Sequence, residues 1–383
     1  MNKIRKIINC IFVIAFVAML ICPFLRLDTT EIIDSATENR RMTMWPGLHL
    51  DGSYNEWYGH YVEDRVAFRE QAAALYMNAV YRIFGEFAED LHMYAKEGEI
   101  FPADKDYISA YQHLATDEQL IDSLVTYLDR SNTYLKSRGK TFVFLAGLDK
   151  KTVYPEKMPD YIHVDESRES IMDDLSRKLE EKGVPYVINA DAYRKASSEG
   201  RLYNKLTDTA HWNADGLMLG MEMLNEKVWN ERVYFSDSPL PRFDRDWFER
   251  GSEIQELEFL SLPITEEVPA WKLKSYYADQ MVTEEGFLDK IPHIEGPYAE
   301  HIISNNAESE LSILIFGDSF MQTHMQYLAP QYHDIYSVGR QNYEYLQQYV
   351  ELLDPDVVVF ENAERSFVDD LYNYTRLGEI EYK

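Results

Sequence analysis

Three residues of this chain could together form a nucleophilic serine site. Ser319 follows the apolar run 312–316 in the sequence Gly-Asp-Ser, which predicts a serine at the carboxyl end of a buried strand, where open α/β folds bind ligands. Asp208 lies three residues before His211 on a predicted loop. When a carboxylate holds one imidazole nitrogen and the other nitrogen faces a serine, that serine becomes nucleophilic near neutral pH. The spacing therefore predicts His211 as a general base for Ser319.

Each of these motifs also has a structural interpretation. Gly-Asp-Ser is common in ordinary turns, and the segment 207–216 could be a helix-capping loop around a packed histidine. The other histidines have no paired metal-ligand spacing, and no glycine-rich phosphate loop is present, so the sequence predicts neither a metal nor a cofactor.

The elements that must position the three residues alternate between helix and strand. Short apolar runs joined by helical crossovers predict a parallel sheet that is covered on both faces, which is an α/β fold. Strands are predicted at 141–145, 185–189, 312–316 and 356–360, and helices at 53–84, 117–138, 166–181 and 343–353. The segment 236–300, with six prolines and weak periodicity, is predicted as an insertion beside the sheet.

Composition and charge limit the partners of the chain. Hydrophobic residues make up 45% of 383 residues, enough for a buried core. The net charge of -28 opposes binding to phosphate-rich partners, so nucleic acid is not an expected ligand.

The N-terminus carries the pattern of a membrane anchor. Lys3, Arg5 and Lys6 precede an apolar run at 7–25, whose length of about 28 Å as a helix is enough to cross a bilayer. The positive residues predict a single-pass protein whose C-terminal part is extracytoplasmic. A cleaved signal peptide is the alternative, but no small-x-small cleavage site is visible. We therefore expect a cytoplasmic tip and anchor at 1–27, a stalk at 28–52 and one domain at 53–383.

The two site motifs resemble the Asp-x-x-His and Gly-Asp-Ser blocks of SGNH-type esterases, but here the Asp/His block comes first. This order is similar to that of the alginate O-acetyltransferase-like group and the related DHHW proteins, whose SGNH-like domain is circularly permuted. Further resemblances to this group are spread over the chain: Glu38-Asn39-Arg40, Asp64-Arg65 with Phe68-Arg69, Lys150 to Tyr154 before Pro155, and Glu364-Arg365-Ser366 after the last strand.

The resemblance also implies residues around the substrate. Lys150, Tyr154 and Trp212 match motif positions and are predicted to line the cleft, and Arg340 or Asn342 is a candidate for the acceptor site or the second oxyanion donor. One departure concerns the spacing, since the group has Asp-x-His-Trp and this chain has two residues, Thr209 and Ala210, between the aspartate and the histidine.

The resemblance implies an extracytoplasmic O-acetyltransferase that acts on a cell-surface or exported polysaccharide through an acyl-enzyme on Ser319, without a cofactor. A membrane-bound acyltransferase is the implied partner and acetyl donor. Two alternatives stay open at this point, a carbohydrate O-acetylesterase and a non-catalytic glycan-binding or scaffold protein of the cell envelope.

Overall fold

The computed structural model describes most of the chain after the predicted anchor. The described residues are 10, 13, 14, 17, 32–35, 38–41, 43–45, 55–64, 69–89, 91–114, 117–232, 239–257, 262–284, 286–291, 299–368 and 374–382. The rest of the predicted membrane segment at 7–25 lies outside them, as does the predicted boundary between stalk and domain at 52 and 53. Within the described ranges, no helix has both the length and the apolar character needed to span a bilayer.

The chain divides into two compact units, of which the first comprises 1–90 and 256–265 and the second comprises 91–255 and 266–383. In the first unit, strand β1 (Ile32–Ser35) pairs antiparallel with β2 (Glu38–Arg41), inside the segment predicted as a polar stalk. The helical prediction for 53–84 corresponds to two helices, α1 (Asn55–Glu63) and α2 (Arg69–Phe84).

The second unit contains the elements that carry the site residues. Its strands are β3 (His92–Tyr94), β4 (Ile100–Pro102), β5 (Thr141–Gly147), β6 (Tyr186–Val187), β7 (Phe248–Glu256), β8 (Thr265–Leu273), β9 (Met281–Thr283), β10 (Ala299–Ser304), β11 (Ser312–Gly317), β12 (Asp334–Gly339) and β13 (Val357–Ala363). Its helices are α3 (Lys105–Tyr111), α4 (Glu118–Ser137), α5 (Lys150–Val153), α6 (Ile171–Lys182), α7 (Ala190–Ser197), α8 (Ala214–Glu231), α9 (Ser275–Ala278), α10 (Leu346–Leu353) and α11 (Tyr374–Leu377).

A seven-stranded sheet forms the centre of this unit, in the order β6-β5-β13-β11-β12-β10-β9. The strands from β6 to β12 in this order are parallel, as predicted, whereas β10 runs antiparallel to both β12 and β9. Of this antiparallel edge, β9 and the first two residues of β10 come from the segment 236–300 that was predicted as an insertion, and the same segment contributes to the separate two-stranded sheet β7-β8.

The central strands are buried along their whole length. Every residue of β5 and β13 is buried, which requires cover on both faces of the sheet, and α4 and α8 both pack on β5. The rings of Phe142 and Phe316 contact the ring of Phe360 edge-on at 5.2 and 4.9 Å. Each fully buried phenylalanine contributes about 1.5–3 kcal/mol relative to an exposed one. The apolar runs from which these strands were predicted therefore also form part of the hydrophobic core.

Helix starts are set by side-chain caps. The Asp117 carboxylate accepts the N–H of Leu120, so α4 begins where the sequence predicts it. Ser170 accepts the N–H of Asp173 and starts α6 at Ile171, five residues later than the predicted start at 166.

A charged histidine lies on the antiparallel edge of the sheet. His301 Nδ1 is 2.7 Å from Glu284 Oε2, and its Nε2 is 2.8 Å from Asp334 Oδ1. Carboxylates only accept, so both ring nitrogens must donate and the imidazole must be protonated. Lys290 also pairs with Glu284, and His333 with Asp334. Burial acts to lower the pKa of His301, but the hydrogen bonds and charges of the two carboxylates outweigh it, and the pKa is raised.

This histidine predicts a pH-dependent stability. Because the folded-state pKa lies above the unfolded value of about 6.5, the stabilisation is complete below that pH and is lost as the pH rises through the folded-state pKa. We expect the free energy of unfolding in urea to fall from pH 6 to pH 9 more steeply in the wild type than in His301→Gln. Parallel slopes in the two proteins would contradict a charged His301.

Candidate active site

The carboxyl ends of four neighbouring parallel strands converge on one region of the second unit. Gly317 at the end of β11 pairs with Gly339 of β12, and Ala363 of β13 pairs with Gly147 of β5. The residues that follow these strands are Ser319, Arg340, Arg365 and Asp149. In open α/β sheets this edge is where ligands bind, so the topology brings polar side chains from distant parts of the chain to one place.

The turn that carries Ser319 is held by buried carboxylates. Asp318 accepts the N–H of Phe320 at 3.0 Å and the N–H of Ala363 at 2.9 Å, and its own N–H donates to Glu361 Oε2 at 2.9 Å. Burial, followed by the charge of Asp318, raises the pKa of Glu361 well above its usual value. Ser319 itself is exposed. The Ser319 hydroxyl therefore faces solvent from a turn whose backbone is held by the buried side chains of Asp318 and Glu361.

Ser319, His211 and Asp208 are in contact. His211 Nε2 lies 2.9 Å from Ser319 Oγ, and His211 Nδ1 lies 2.7 Å from Asp208 Oδ1. Burial acts to raise the pKa of Asp208, but the hydrogen bonds and charge of His211 and the charge of Arg365 lower it below its usual value. An ionised Asp208 accepts from Nδ1–H, which leaves Nε2 as the acceptor for the serine proton.

Two residues separate Asp208 from His211, and the backbone of Asp208 adopts an uncommon conformation. This residue has φ of 38°, in the left-handed region that aspartate tolerates better than most residues. The N–H of His211 also donates to Asp208 Oδ1, at 3.3 Å. The carboxylate thus reaches the imidazole although the spacing differs from Asp-x-His.

Strands β7 and β8 hold the loop that carries Asp208. The Glu266 carboxylate accepts the backbone N–H groups of Lys205, Leu206 and Thr207 at 2.8, 2.6 and 3.1 Å. The hydroxyl of Thr207 donates to Gln255 Oε1 at 2.9 Å. Since a carboxylate accepts with both oxygens, Glu266 can satisfy three donors that would otherwise be unpaired in a half-buried loop.

We expect Glu266→Gln to weaken this support. One oxygen becomes an NH₂ group that faces a backbone N–H, so at least one donor loses its acceptor, at a cost of about 1–3 kcal/mol. Urea unfolding should show this loss, and the rate of any Ser319-dependent reaction should fall with it. Glu267→Gln is the matched control, because the Glu267 side chain accepts from Ser252 on the exposed surface of the same strands. Equal stability of the two variants would argue against the proposed support.

Arg365 is the cation nearest to the imidazole. Its Nη1 donates to Asp149 Oδ1 at 2.5 Å and to the carbonyl of Ala210 at 3.1 Å, and its Nη2 is 3.3 Å from His211 Nε2. Asp149, which is fully buried, is also paired with Lys151 at 2.5 Å. Arginine donates and does not accept, so this contact again assigns His211 Nε2 as an acceptor.

Two further side chains border the three contacting residues. Phe320 lies edge-on to the rings of His211 and Trp212, with centroids 4.9 and 5.1 Å apart. His324, in the 3-10 segment Gln322–Leu328, is half-buried, and burial with the charge of His211 lowers its pKa to about 4. His324 is therefore neutral near pH 7.

The side chains predicted to bind substrate have protein partners in this structure. Lys150 is fully buried and pairs with Glu99 at 2.9 Å, and Tyr154 accepts the N–H of Leu202 at 3.0 Å. Trp212 is 4% exposed and donates to the carbonyl of Phe320 at 3.2 Å.

Arg340 and Asn342 also lie inside the unit. Arg340 binds Asp318 and Ser366, and the buried Asn342 donates to the carbonyl of Gly339 at 3.0 Å. Of the five predicted substrate-binding residues, Trp212 and Arg340 lie next to the site, where each contacts a neighbour of Ser319. Their described contacts position the site, and direct binding of a substrate by any of the five stays a prediction.

The sequence analysis assigned no role to Arg365, Asp149 or Glu266, although Arg365 belongs to one of the motifs that carry the resemblance. Arg365 and Asp149 directly follow strands that were predicted, so the rule that ligands lie at the carboxyl ends of parallel strands could have identified both. Glu266 had no such signal, because it acts from a strand in the segment without clear periodicity.

Comparison with solved structures shows the class of fold. Bacillus cereus PatB1 aligns with a TM-score of 0.54 and 15% identity, covering 75% of this chain and all of that one, and a second PatB1 structure carries a sulfonyl adduct (0.52, 16%, 68% and 94%). A DHHW family protein from Eubacterium siraeum aligns with a TM-score of 0.51 and 13% identity over 75% of this chain and 95% of that one.

The O-acetyltransferase domain of Pseudomonas putida AlgJ aligns with a TM-score of 0.49 and 14% identity over 75% and 98% of the two chains. The sequence matches no protein-family model and no curated protein. The chain thus has a mixed α/β fold with a largely parallel central sheet that is similar to the folds of PatB1 and the DHHW family protein, and the resemblance to the DHHW proteins is confirmed at this level.

Proposed function

We propose that the chain is an O-acetyltransferase in which Ser319 carries an acetyl group from a donor to a hydroxyl of an extracytoplasmic polysaccharide. The observation that carries this proposal is the continuous contact from Ser319 Oγ through His211 to Asp208, at 2.9 and 2.7 Å. The acetyl group and the polysaccharide come from the resemblance of the motifs to the alginate O-acetyltransferase-like group.

The reaction proceeds in two steps. The Ser319 proton passes to His211 Nε2 while Oγ bonds to the acetyl carbonyl carbon, and the donor's leaving group departs with that proton. A sugar hydroxyl then gives its proton to Nε2 and attacks the acetyl-serine, and Ser319 Oγ leaves and recovers the proton. Asp208 stabilises the imidazolium in both steps.

The turn offers one donor for the negative charge that develops on the carbonyl oxygen. The N–H of Ser319 has no hydrogen-bond partner among the described residues, although the N–H groups of Asp318 and Phe320 on either side are both used. A free backbone N–H beside the attacking oxygen can stabilise a tetrahedral oxyanion.

The test is to trap the acyl-enzyme on the soluble part of the chain, from residue 28 onward. With 4-nitrophenyl acetate, we expect a burst of nitrophenolate and a mass increase of one acetyl group on the peptide containing Ser319. Phenylmethylsulfonyl fluoride is the second probe, because PatB1 forms a sulfonyl adduct, and it should label the same residue. A folded protein that neither releases acetate nor is labelled would favour the non-catalytic scaffold alternative.

Hydrolysis is a second candidate because Ser319 is exposed to solvent. Water could then replace the sugar hydroxyl in the second step, which would make the protein an O-acetylesterase. The ratio of acetylated acceptor to free acetate, measured with added oligosaccharides, separates the two. A transferase should shift its product towards acetylated acceptor as the acceptor concentration rises.

The setting of the reaction is proposed from the sequence alone. The apolar run at 7–25 behind Lys3, Arg5 and Lys6 would anchor the protein in the cell membrane with the site outside. A membrane-bound acyltransferase would then be a suitable donor of acetyl groups. Fractionation of cells that express the full chain, with protease added from outside, tests both the anchoring and the orientation.

A further inference from the structure

The position of Arg365 assigns this residue a part in the chemistry at Ser319. Ser319 Oγ and Arg365 Nη2 both lie close to the same atom, His211 Nε2, at 2.9 and 3.3 Å. An acyl group on Oγ therefore lies within reach of the guanidinium. The Arg365 side chain is 27% exposed, so a substrate can approach it.

Hydrogen bonds hold the Arg365 guanidinium in place, and some of its N–H groups have no hydrogen-bond partner among the described residues. The guanidinium carbon lies 5.1 Å from the centroid of the Phe320 ring. Among the described residues, the hydrogen-bond partners are Asp149 and the carbonyl of Ala210 for Nη1, and His211 for Nη2. The Nε–H and the second hydrogen of Nη2 have none. Asp149 is held in turn by Lys151, and its own N–H donates to Glu364 at 3.0 Å. The open donors are therefore part of a rigid group.

The charge of Arg365 is unfavourable for the action of His211 as a general base if no negative charge develops nearby. When His211 takes the serine proton, a cation 3.3 Å away opposes the new positive charge on the imidazole. A negative charge that develops beside both cations at the same moment removes this conflict. In acyl transfer, that negative charge is the oxyanion of the tetrahedral intermediate.

We infer that Arg365 is a further catalytic residue, whose guanidinium donates to the carbonyl oxygen of the acyl group as that oxygen becomes negatively charged, opposite the N–H of Ser319. This inference rests on the proposed acyl transfer at Ser319. It supplies the second oxyanion donor, the role for which the sequence suggested Arg340 or Asn342. Asp149 and Lys151 are positioning residues that keep the guanidinium in place.

The experiment compares wild type, Arg365→Ala and Arg365→Lys with 4-nitrophenyl acetate. Because the interaction forms only in the transition state, we expect kcat to fall about 10²–10³-fold in Arg365→Ala, with KM nearly unchanged. Arg365→Lys keeps the positive charge but loses the planar guanidinium, so its kcat should lie between those of the wild type and Arg365→Ala. Millimolar guanidinium chloride should restore part of the activity of Arg365→Ala, whereas tetramethylammonium chloride should not.

A matched control addresses a purely structural role. Arg130 also donates to two backbone carbonyls, those of Gly378 and Ile380, both at 2.8 Å, and it lies on α4. Arg130→Ala should retain the wild-type kcat. If Arg365→Ala does not fold, the kcat of Arg365→Lys decides, and a wild-type value there overturns the inference.

Two further outcomes separate a failure of the role of Arg365 from a failure of the proposed function. An unchanged kcat in folded Arg365→Ala, or a loss that guanidinium does not rescue and that Arg130→Ala shares, overturns the role of Arg365 while the proposed function stands. A wild-type protein without Ser319-dependent acetyl release overturns the proposed function itself, and with it the inference.

Discussion

Ser319→Ala should abolish the burst of nitrophenolate from 4-nitrophenyl acetate and lower kcat/KM by at least about 10³-fold. The Ser319 hydroxyl, 2.9 Å from His211 Nε2, is placed to lose its proton to the imidazole and to accept an acyl group. His211→Ala should cause a loss of similar size, because the serine then has no base. Since the two residues act as a unit, the double variant should be hardly slower than either single one.

The stability of these variants is the necessary control. Ser319 is exposed, so its replacement by alanine should leave the midpoint of urea unfolding unchanged. Thr323→Ala, four residues further on at another exposed hydroxyl, should retain full activity. Wild-type rates in folded Ser319→Ala would mean that the measured acetyl release is a background reaction, and the scaffold interpretation would then be favoured.

Asp208→Asn should reduce kcat by about 10⁴-fold while the protein stays folded. An asparagine at this position can donate its amide to Nδ1, which stabilises the tautomer with the proton on Nε2. That tautomer cannot accept the Ser319 proton, although the distances of the site are preserved. The loss should also exceed that in Asp215→Asn, a carboxylate at the start of α8 that pairs with Arg250 at 2.7 Å.

Measurement of the rate between pH 5 and pH 9 makes this test sharper. If Asp208 only supports the loop, Asp208→Asn should shift the unfolding midpoint and leave the pH profile of the remaining activity unchanged. If it orients and stabilises the imidazolium, the midpoint should change little and the profile should change. The expected loss in Asp208→Asn is about 10⁴-fold. A rate of this variant within about tenfold of the wild-type rate would therefore show that another group serves as the orienting acid.

Much of the fold follows from local patterns in the sequence. The apolar runs at 141–145 and 312–316 lie within β5 and β11, and the run at 356–360 lies within β13 from Val357 onward, because a strand buried on both faces has few polar positions to interrupt the run. The predicted strand at 185–189 is only Tyr186–Val187 in the structure, at the edge of the sheet, where it has a single neighbour.

The antiparallel edge could not be predicted in the same way. Strand β9 comes from the proline-rich segment 236–300 and has only three residues, of which none is buried, and β10 begins at the end of that segment. β10 takes its place in the sheet by pairing with β12, and β9 takes its place by pairing with β10; these pairings between strands leave no periodic pattern in β9.

The site residues whose types and spacing indicate a known chemistry were predicted from the sequence. The residues that support them from distant parts of the chain were not. Ser319, His211 and Asp208 were found from residue type and spacing, and the structure places them in contact. Arg365 and Asp149 depend on the register of β13 with β5, which fixes the two strand ends side by side. Lys150 and Tyr154 match motif positions, yet burial gives them structural partners.

The left-handed backbone at Asp208 has a consequence for how related sites are sought. With φ of 38° at Asp208, the carboxylate contacts the imidazole across two intervening residues, whereas the group that the chain resembles has one. A search pattern fixed at Asp-x-His would overlook such a chain. Pairs of acid and histidine are therefore better compared by the hydrogen bond that they make than by the number of residues between them.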